Sequence, residues 1–372
     1  MKIIHADVFC EDNRFRKTDV FTDGRFFTDS STDGITEDAE GCFLIPGLTD
    51  LHFHGCMGHD FCEGTEEAIQ VLADFELANG VTQMCPATMT FDEERLTDIA
   101  RAAAAHRNGT GADLVGINME GPFISEKKKG AQNGEFIRRP DIGMFRRLQE
   151  ASGGLFRICD IAPEEEGAME FIDALKNEVI ISVAHTSADY ETAGEAFRRG
   201  ARQVTHLYNA MTEMSHRAPG VVGAAADDQR IRAELICDGI HIHPAVVRTT
   251  FRMFSDERIL LISDSMEATG LSDGEYELGG QPVTVRGKKA LLRDGTITGS
   301  ASSLLTCLQT AVLEMGIPLE SAVRCAAVNP AEALGIFDSC GSISAGKKAN
   351  FLLLDKELHL KAVCKDGIFR NC

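Results

Sequence analysis

The sequence lacks an apolar run long enough to cross a membrane. No stretch approaches the roughly 20 residues of a transmembrane helix, and the N-terminal segment MKIIHADVFCED turns acidic before it could form a signal peptide. Low-complexity tracts and internal repeats are also absent from the sequence. With 372 residues, of which 44% are apolar, the chain has the composition of a globular protein, and we expect it to be cytoplasmic.

Positive charge is scarce. The chain has 37 lysines and arginines against 57 aspartates and glutamates, which gives a formal net charge of −20. Nucleic acids and anionic membranes require a basic surface, so we expect neither as a partner. An anionic small substrate would need a local basic pocket, for which Arg217 is a candidate.

Motifs of several other chemistries are missing. The twelve cysteines include no CxxC pair, so in a reducing compartment we expect buried or free thiols. The chain has no GxSxG nucleophile elbow, no GxxxxGK[ST] phosphate loop and no GxGxxG after a strand. These absences narrow the catalytic options to metal chemistry.

What is present is an alternation of short β-rich runs and helical stretches. Segments such as TEEAIQVLADFELANG lie between the runs and end at glycine, as helices do. The pattern predicts an α/β fold with a (β/α)8 TIM-like barrel over residues 47–340, and a doubly wound sheet is the alternative. The candidate strands are 48–55, 82–88, 112–121, 157–164, 179–186, 203–210, 233–242 and 259–266.

The two ends of the chain differ from this pattern. Residues 1–46 and 341–372 contain short β-runs with Asp-Gly turns, one of them at Asp366 and Gly367. We expect the two ends to pair into one small split domain, a β-sandwich. A hairpin-like insert, YELGGQPVTVRGKKALLRDGTIT, precedes a predicted helix at 300–316.

Polar residues end almost every predicted strand. A barrel builds its active site from the C-terminal ends of its strands, so these side chains are expected to meet at one mouth. In LTDLHFHG, His52 and His54 lie two positions apart and therefore face the same side of a strand. The other strand-end residues are Glu120, Glu164, His185, His206, Asn209, His241 and Asp264.

Six of these residues form a candidate ligand set. Imidazole and carboxylate without thiolate suit zinc, iron, manganese or cobalt in a hydrolytic site. The set exceeds what one tetrahedral ion needs, so it also allows two ions that share Glu120. Hydrolysis further requires a free carboxylate to move a proton, and Asp264, at the end of an apolar run, suits that task. The six are His52, His54, Glu120, His185, His206 and Asp264.

The motifs resemble those of the amidohydrolase superfamily and, within it, the deacetylases of N-acetylated sugar phosphates. The resemblance runs through nearly the whole chain, and its most specific segments are MEGPFISEKKKGAQN and THLYNAMTEMSHRAPG. It implies a homodimer that hydrolyses the acetamido group of N-acetyl-D-glucosamine 6-phosphate with one or two divalent ions per subunit. The alternative substrate is the galactosamine epimer or another N-acyl compound.

The resemblance also implies roles for individual residues. Asp264 corresponds to the general base and acid, and His241 is expected to help polarise the amide oxygen. Arg217 is expected to reach the site of the partner subunit. The implied metal ligands are Glu120, His185 and His206 for the catalytic ion, completed by His52 and His54 for a second one. The implied substrate-binding residues are Ala131, Gln132, Asn209, Ala210, Arg217 and His241.

One position departs from the pattern of the resembled family. Gln132, in KKGAQN, stands where a well-known bacterial member has histidine. Glutamine donates and accepts hydrogen bonds but carries no proton charge, which leaves the role of this position open. His59 lies on the loop after the first predicted strand, and its role is open as well.

Overall fold

A curved parallel sheet forms the centre of the molecule. The computed structural model describes residues 1–30 and 34–371, and in it seven parallel strands, from Ala87–Thr88 to Ile259–Ile262, pair in chain order. Leu48–Asp50 pairs with Val81–Met84, which leads directly into the first of those seven strands. Helices follow the strands in alternation, so the predicted α/β barrel is confirmed.

These elements follow the predicted order, but the strands are shorter than predicted. The barrel strands are Leu48–Asp50, Val81–Met84 with Ala87–Thr88, Ile117–Met119, Phe156–Ile161, Ile180–Val183, Gln203–Val204, Arg232–Ile236 and Ile259–Ile262. The helices that follow them are Glu66–Ala78, Glu93–Ala105, Ile142–Ala151, Ala168–Leu175, Tyr190–Arg199, Gly220–Asp227, Pro244–Phe254 and Leu304–Leu313. Short helical segments lie at Phe61–Glu63, Glu126–Lys128, Gly134–Phe136, Leu319–Val323, Arg324–Val328 and Asn329–Ala333.

Polar caps fix where several helices begin. Thr65 accepts a hydrogen bond from the backbone N–H of Ala68, and Asp92 accepts one from that of Arg95. Such caps satisfy N–H groups that have no partner within the first turn. Ser303 does the same for the helix Leu304–Leu313, which makes that helix shorter than the predicted 300–316.

The barrel closes between the segments that follow its first and last strands. The N–H of Asp264 donates to the carbonyl oxygen of His52 at 3.0 Å, and the N–H of His54 donates to that of Ser265 at 2.7 Å. We call this pair of hydrogen bonds the seam. Two predicted ligands and the predicted proton carrier therefore lie at the point where the ring is completed.

The chain ends meet in a six-stranded sheet. Phe43–Pro46 pairs antiparallel with Phe351–Leu354, which joins an N-terminal segment to a C-terminal one. A four-stranded sheet of N-terminal strands shares one buried core with it, in which Ile3 and Phe351 take part. The six strands are Asp7–Phe9, Phe15–Lys17, Phe43–Pro46, Phe351–Leu354, Leu360–Lys365 and Ile368–Asn371. The four strands are Lys2–Ile4, Val20–Thr22, Phe27–Thr28 and Thr36–Asp38.

The predicted hairpin-like insert is a three-stranded antiparallel sheet beside the barrel mouth. Its strands are Gly274–Leu278, Gln281–Arg286 and Lys289–Leu292. Leu278 from this sheet and Ile297 from the segment after it line the cavity described below. The insert therefore forms one wall of that cavity.

Two expectations drawn from the composition, on membrane spans and on cysteines, can be compared with the structure. Among the described residues, none of the helices has the length and apolar character that a membrane span requires. The eleven cysteines of the described part are free thiols, and Cys372 lies outside it.

Candidate metal centre and substrate cavity

Glu120, His185 and His206 converge on one point at the barrel mouth. The Nε2 atoms of His185 and His206 lie 2.9 and 3.0 Å from Oε1 of Glu120, and 3.1 Å from each other. These residues follow the third, fifth and sixth barrel strands, so the fold gathers them from distant parts of the sequence. Two ring nitrogens and a carboxylate oxygen that face a common point are the donor set of a divalent cation.

His52 and His54 form a second group around the same carboxylate. Nε2 of His54 lies 3.3 Å from Oε2 of Glu120, and Nε2 of His52 lies 3.5 Å from Oε1. Both rings are buried, and Nε2 of His52 has no hydrogen-bond partner among the described residues. A buried polar atom without a partner is costly, and coordination to a cation would satisfy it. The structure thus brings the five predicted ligands into two groups that share Glu120.

The outward-facing nitrogens of two of these rings have acceptors. Nδ1 of His52 lies 2.9 Å from Oε2 of Glu234, and Nδ1 of His185 lies 3.0 Å from the carbonyl oxygen of Lys128. Such contacts place the proton on Nδ1 and leave Nε2 free to coordinate a metal. Sequence analysis missed Glu234. An acidic residue inside the apolar run AELIC was the available signal.

Asp264 lies beside the second group of ligands. Its Oδ1 is 3.3 Å from Nε2 of His54 and 3.8 Å from Nε2 of His52. Burial opposes its ionisation, but the hydrogen bond from His54 and the charge of His52 keep the pKa of Asp264 below its usual value. The carboxylate is therefore ionised at neutral pH and able to accept a proton.

Negative charge dominates the centre. Burial disfavours protonated His54, yet Asp264 and Glu120 outweigh burial and raise the pKa of His54 to about 10. Burial likewise opposes ionisation of Glu120, but the adjacent histidines hold its pKa well below the usual range. A site that draws protons onto its histidines in this way has the electrostatics that a divalent cation would satisfy.

Three residues of the centre have left-handed backbone conformations. The φ angles are 42° at His185, 27° at His206 and 50° at Asp264. Residues other than glycine rarely adopt such angles, and strain of this kind concentrates at functional sites. Each of these turns follows the end of a barrel strand, where the sequence predicted the site to be.

His241 lies on the cavity wall, held by Asp238. Its Nδ1 is 2.8 Å from Oδ2 of Asp238, and its backbone N–H donates to Oδ1 of the same carboxylate at 2.9 Å. Burial would lower the pKa of His241, but Asp238 outweighs burial and raises it. Nε2 is therefore left as a donor towards the cavity. Sequence analysis missed Asp238, although its position three residues before a candidate histidine was a signal.

A cavity of about 280 Å³ opens onto the centre and contains most of the predicted substrate-binding residues. Lys127 and Lys128, to which sequence analysis gave no role, are the lysines that line it within the described part of the chain. Arg217 is exposed and lies outside the cavity wall, so its expected action on a partner subunit stays a prediction. The predicted residues that line the cavity are Ala131, Gln132, Asn209, Ala210 and His241.

His59 does not line this cavity. Its Nδ1 lies 3.1 Å from Oε1 of Glu63, in the short helical segment that follows. The histidine therefore takes part in a local contact.

Comparison with known proteins identifies the family of the chain. Residues 43–369 match the amidohydrolase family. The chain belongs to that family. This amidohydrolase is 38% identical over 332 residues to the N-acetylglucosamine-6-phosphate deacetylase of Bacillus subtilis (strain 168), a match that covers 87% of this chain and 84% of that protein.

The names of two further relatives state the sugar phosphate on which those proteins act. The amidohydrolase is 34% identical over 337 residues to the N-acetylgalactosamine-6-phosphate deacetylase of Escherichia coli O157:H7, with 90% of this chain and 89% of that protein covered. Its fold is similar to that of an aspartate-to-alanine mutant of N-acetyl-D-glucosamine-6-phosphate deacetylase from Mycobacterium smegmatis, solved in complex with N-acetyl-D-glucosamine 6-phosphate. The TM-score is 0.92 at 32% identity, and the match covers 99% of this chain and 98% of that one.

Proposed function

We propose that this amidohydrolase removes the acetyl group of N-acetyl-D-glucosamine 6-phosphate and releases D-glucosamine 6-phosphate and acetate. The observation that carries the proposal is the pair of ligand groups around Glu120, with ionised Asp264 beside them at the floor of a cavity. Two relatives, 38% and 33% identical to this chain, bear the same activity in their names.

The centre is proposed to hold one or two divalent ions, of zinc, iron, manganese or cobalt. When bound, such an ion activates a water molecule and polarises the amide carbonyl group. The histidine rings keep Nε2 turned inward because acceptors such as Glu234 hold Nδ1. The proposed ligands are Glu120, His185 and His206 for one ion, and Glu120, His52 and His54 for the other.

Asp264 is proposed to move the proton. Its ionised carboxylate accepts a proton from the attacking water, and it then gives that proton to the amine nitrogen as the C–N bond breaks. One carboxylate serves as base and then acid because the attacking and departing atoms lie on the same carbon. Oδ1 lies 3.3 Å from Nε2 of His54, so the fold places the proton carrier beside the proposed metal ligands.

His241 is proposed to stabilise the oxygen of the amide. Negative charge grows on that atom when water adds to the carbonyl carbon, and a hydrogen bond aimed at it stabilises the transition state. Asp238 keeps the ring oriented through Nδ1, so Nε2–H points to the cavity. The raised pKa of His241 strengthens this donor, since an imidazolium donates more strongly than a neutral ring.

The phosphate is proposed to bind on the wall formed by Asn209 and the backbone of Ala210, with Ala131 and Gln132 near the sugar. Arg217 of the other subunit of a homodimer would add a guanidinium, which suits phosphate geometry. Mixing two inactive variants, Arg217→Ala and Asp264→Asn, tests this arrangement. Activity returns in the mixed dimer if Arg217 acts across the interface, and stays absent if it acts within its own subunit.

We also propose that residues 1–46 and 341–372 form a β-sandwich domain. The shared core of the six-stranded and four-stranded sheets supports this. The lysines of the C-terminal segment attach it to the barrel, since Nζ of Lys365 lies 2.6 Å from Oδ1 of Asp113 and Nζ of Lys348 lies 2.7 Å from Oδ2.

Acetate release by metal-replete protein tests the proposed function. The substrates are N-acetyl-D-glucosamine 6-phosphate and its galactosamine epimer, compared as kcat/KM. A preference of tenfold or more for the glucosamine compound is expected. The relative from Escherichia coli O157:H7 is named for the galactosamine compound, which makes the epimer the second candidate substrate. A higher kcat/KM for the epimer would support that second candidate. Failure to release acetate from either compound with ions bound would overturn both.

A further inference from the structure

Gln132 and Glu120 both line the cavity. Gln132 is 2% exposed, and its Nε2 donates to Oε2 of Glu120 at 2.7 Å. Its Oε1 accepts a hydrogen bond from the backbone N–H of Thr90, also at 2.7 Å. A backbone N–H only donates, so Oε1 must face Thr90 and the NH2 group must face Glu120. The orientation of this amide is therefore determined by its neighbours.

The two oxygens of Glu120 have different surroundings. Oε1 faces His185 at 2.9 Å and His206 at 3.0 Å. Oε2 faces His54 at 3.3 Å and the amide of Gln132 at 2.7 Å. A carboxylate turned part of the way about its last bond would carry both oxygens away from these neighbours. The bond from Gln132 opposes that rotation.

Gln132 is also suited to this task by its chemistry. An uncharged amide donates to the carboxylate without adding positive charge, so it does not compete electrostatically with a cation for Glu120. A lysine or arginine at this position would neutralise the shared ligand. The bond uses one lone pair of Oε2 and leaves the other lone pair directed towards His54.

We infer that Gln132 is a positioning residue that orients Glu120 and sets how tightly the two ligand groups bind their ions, the His52/His54 group most of all. The inference rests on the proposed function for its effect on turnover, while its effect on ion binding does not depend on the substrate. It gives this position a role besides the contact with the sugar that sequence analysis expected.

Gln132→Met tests the inference because methionine has a similar length and no N–H donor. Apoprotein is titrated calorimetrically with zinc and with manganese, and retained ions are counted by mass spectrometry after dialysis. Loss of an outer hydrogen bond typically weakens metal binding about 10- to 100-fold, and we expect the larger loss at the site formed with His52 and His54. The absorption spectrum of the cobalt-loaded protein should shift, since it reports ligand geometry.

Gln281→Met is the matched control. Gln281 donates its side-chain amide to the carbonyl oxygen of Ala131, next to Gln132 in the chain, and it does not touch Glu120. This variant should bind both metals as the wild type does. Gln132→Leu provides a second test, and the unfolding midpoint of each apoprotein shows whether the variant is folded.

The outcomes separate this inference from the proposed function. Weaker ion binding in Gln132→Met and Gln132→Leu, with normal binding in Gln281→Met, supports the inference even if no sugar phosphate is hydrolysed. Unchanged ion binding in the folded Gln132 variants overturns it, whatever happens to KM. If the wild type binds ions tightly yet releases no acetate, the proposed function fails and the positioning role stands on the titrations alone.

Discussion

Nε2 of His185 lies 3.1 Å from Nε2 of His206, and both atoms face Oε1 of Glu120. Two imidazole lone pairs at this distance repel each other unless a positive charge lies between them or near them. Nδ1 of His206 is buried and has no hydrogen-bond partner among the described residues. A divalent cation held by these three residues would remove this repulsion, and several consequences can be measured.

Replacement of His206 tests the first ligand group. His206→Asn removes a ring nitrogen that faces Glu120, so the ion held there should be lost and acetate release should fall about 100-fold or more. Ions per subunit and kcat/KM are measured on the same preparation. His106→Asn is the control, because His106 contacts Glu66 away from the cavity. Intact acetate release in His206→Asn would show that the site is assigned wrongly.

Asp264→Asn separates proton transfer from metal binding. Asparagine keeps the shape of the side chain but accepts no proton, so kcat should fall by about 10²- to 10⁴-fold. KM should change little, and the ion bound by His185 and His206 should be retained, because Asp264 is not in that group. A variant whose kcat stays within twofold of the wild type would exclude Asp264 as the proton carrier.

The Asp238 carboxylate is expected to shift the pH profile. It raises the pKa of His241 against the effect of burial, so His241 stays protonated to a higher pH than an ordinary histidine. Asp238→Asn removes this effect while Asp264, the other carboxylate that raises the pKa, stays in place. The basic limb of kcat/KM should then move to lower pH. An unmoved limb, measured at constant ionic strength, would show that His241 does not act in its protonated form.

Lys127 and Lys128 are expected to contribute to phosphate binding. They line the cavity of a strongly acidic protein, whereas Lys129 pairs with Glu126 at 3.0 Å. A charge-assisted hydrogen bond is worth about 1.5–3 kcal/mol, so Lys128→Met should raise KM for the phosphorylated substrate about tenfold or more. The effect should shrink as salt is added.

Matched variants make that test specific. Lys127→Met should act in the same direction as Lys128→Met, and Lys129→Met should leave KM close to that of the wild type. N-acetyl-D-glucosamine without phosphate should be hydrolysed equally poorly by all of them. An equal effect of the three substitutions would point to the net charge of the loop rather than to contacts in the cavity.

Arg258 is expected to matter for stability alone. Its side chain is 6% exposed and donates to backbone carbonyls at the ends of two outer helices. Arg258→Met fills the space but leaves several buried acceptors unpaired, which should lower the free energy of unfolding by about 2–4 kcal/mol. The carbonyls belong to Ala225, Ala226, Asp228, Ile231, Met253 and Phe254.

Chemical denaturation measures this loss. Arg230→Met is the control, because Arg230 is exposed and pairs with Asp228 at the surface, where such pairs contribute little. Both variants should keep the kcat of the wild type at low temperature. Equal stability of the two variants would contradict a structural role of the buried guanidinium.

Local pattern was enough to predict the barrel and to indicate that the six candidate residues of the centre gather at its mouth. His52 and His54 alternate along a strand, and polar residues end strands whose C-termini meet by the geometry of the fold. No local sequence pattern identifies Glu234 as the hydrogen-bond acceptor of Nδ1 of His52. Glu234 lies 182 positions away in the sequence and on another strand. The contact of Gln132 with Glu120 escaped prediction for a related reason, since the loop between them folds back in a way that residue types do not specify.

The backbone φ angles of the site residues could not be predicted from the sequence pattern either. His206 and Asp264 adopt left-handed conformations that their residue types disfavour. Such angles persist because the surrounding structure holds them, here through the neighbouring strands and the seam. The candidate residues follow the ends of barrel strands, as the sequence predicts, but the sequence does not predict the turns that orient their side chains.

The seam has a consequence for the order in which the protein becomes active. His52 is synthesised early, whereas Asp264 leaves the ribosome only after all eight strands of the barrel have been made. A nascent chain therefore holds histidines before it holds the carboxylate that carries the proton. Ions that bind the completed site favour the closed ring by mass action, so metal supply and barrel closure reinforce each other. The site is complete only when the segment after the last strand pairs with the segment after the first.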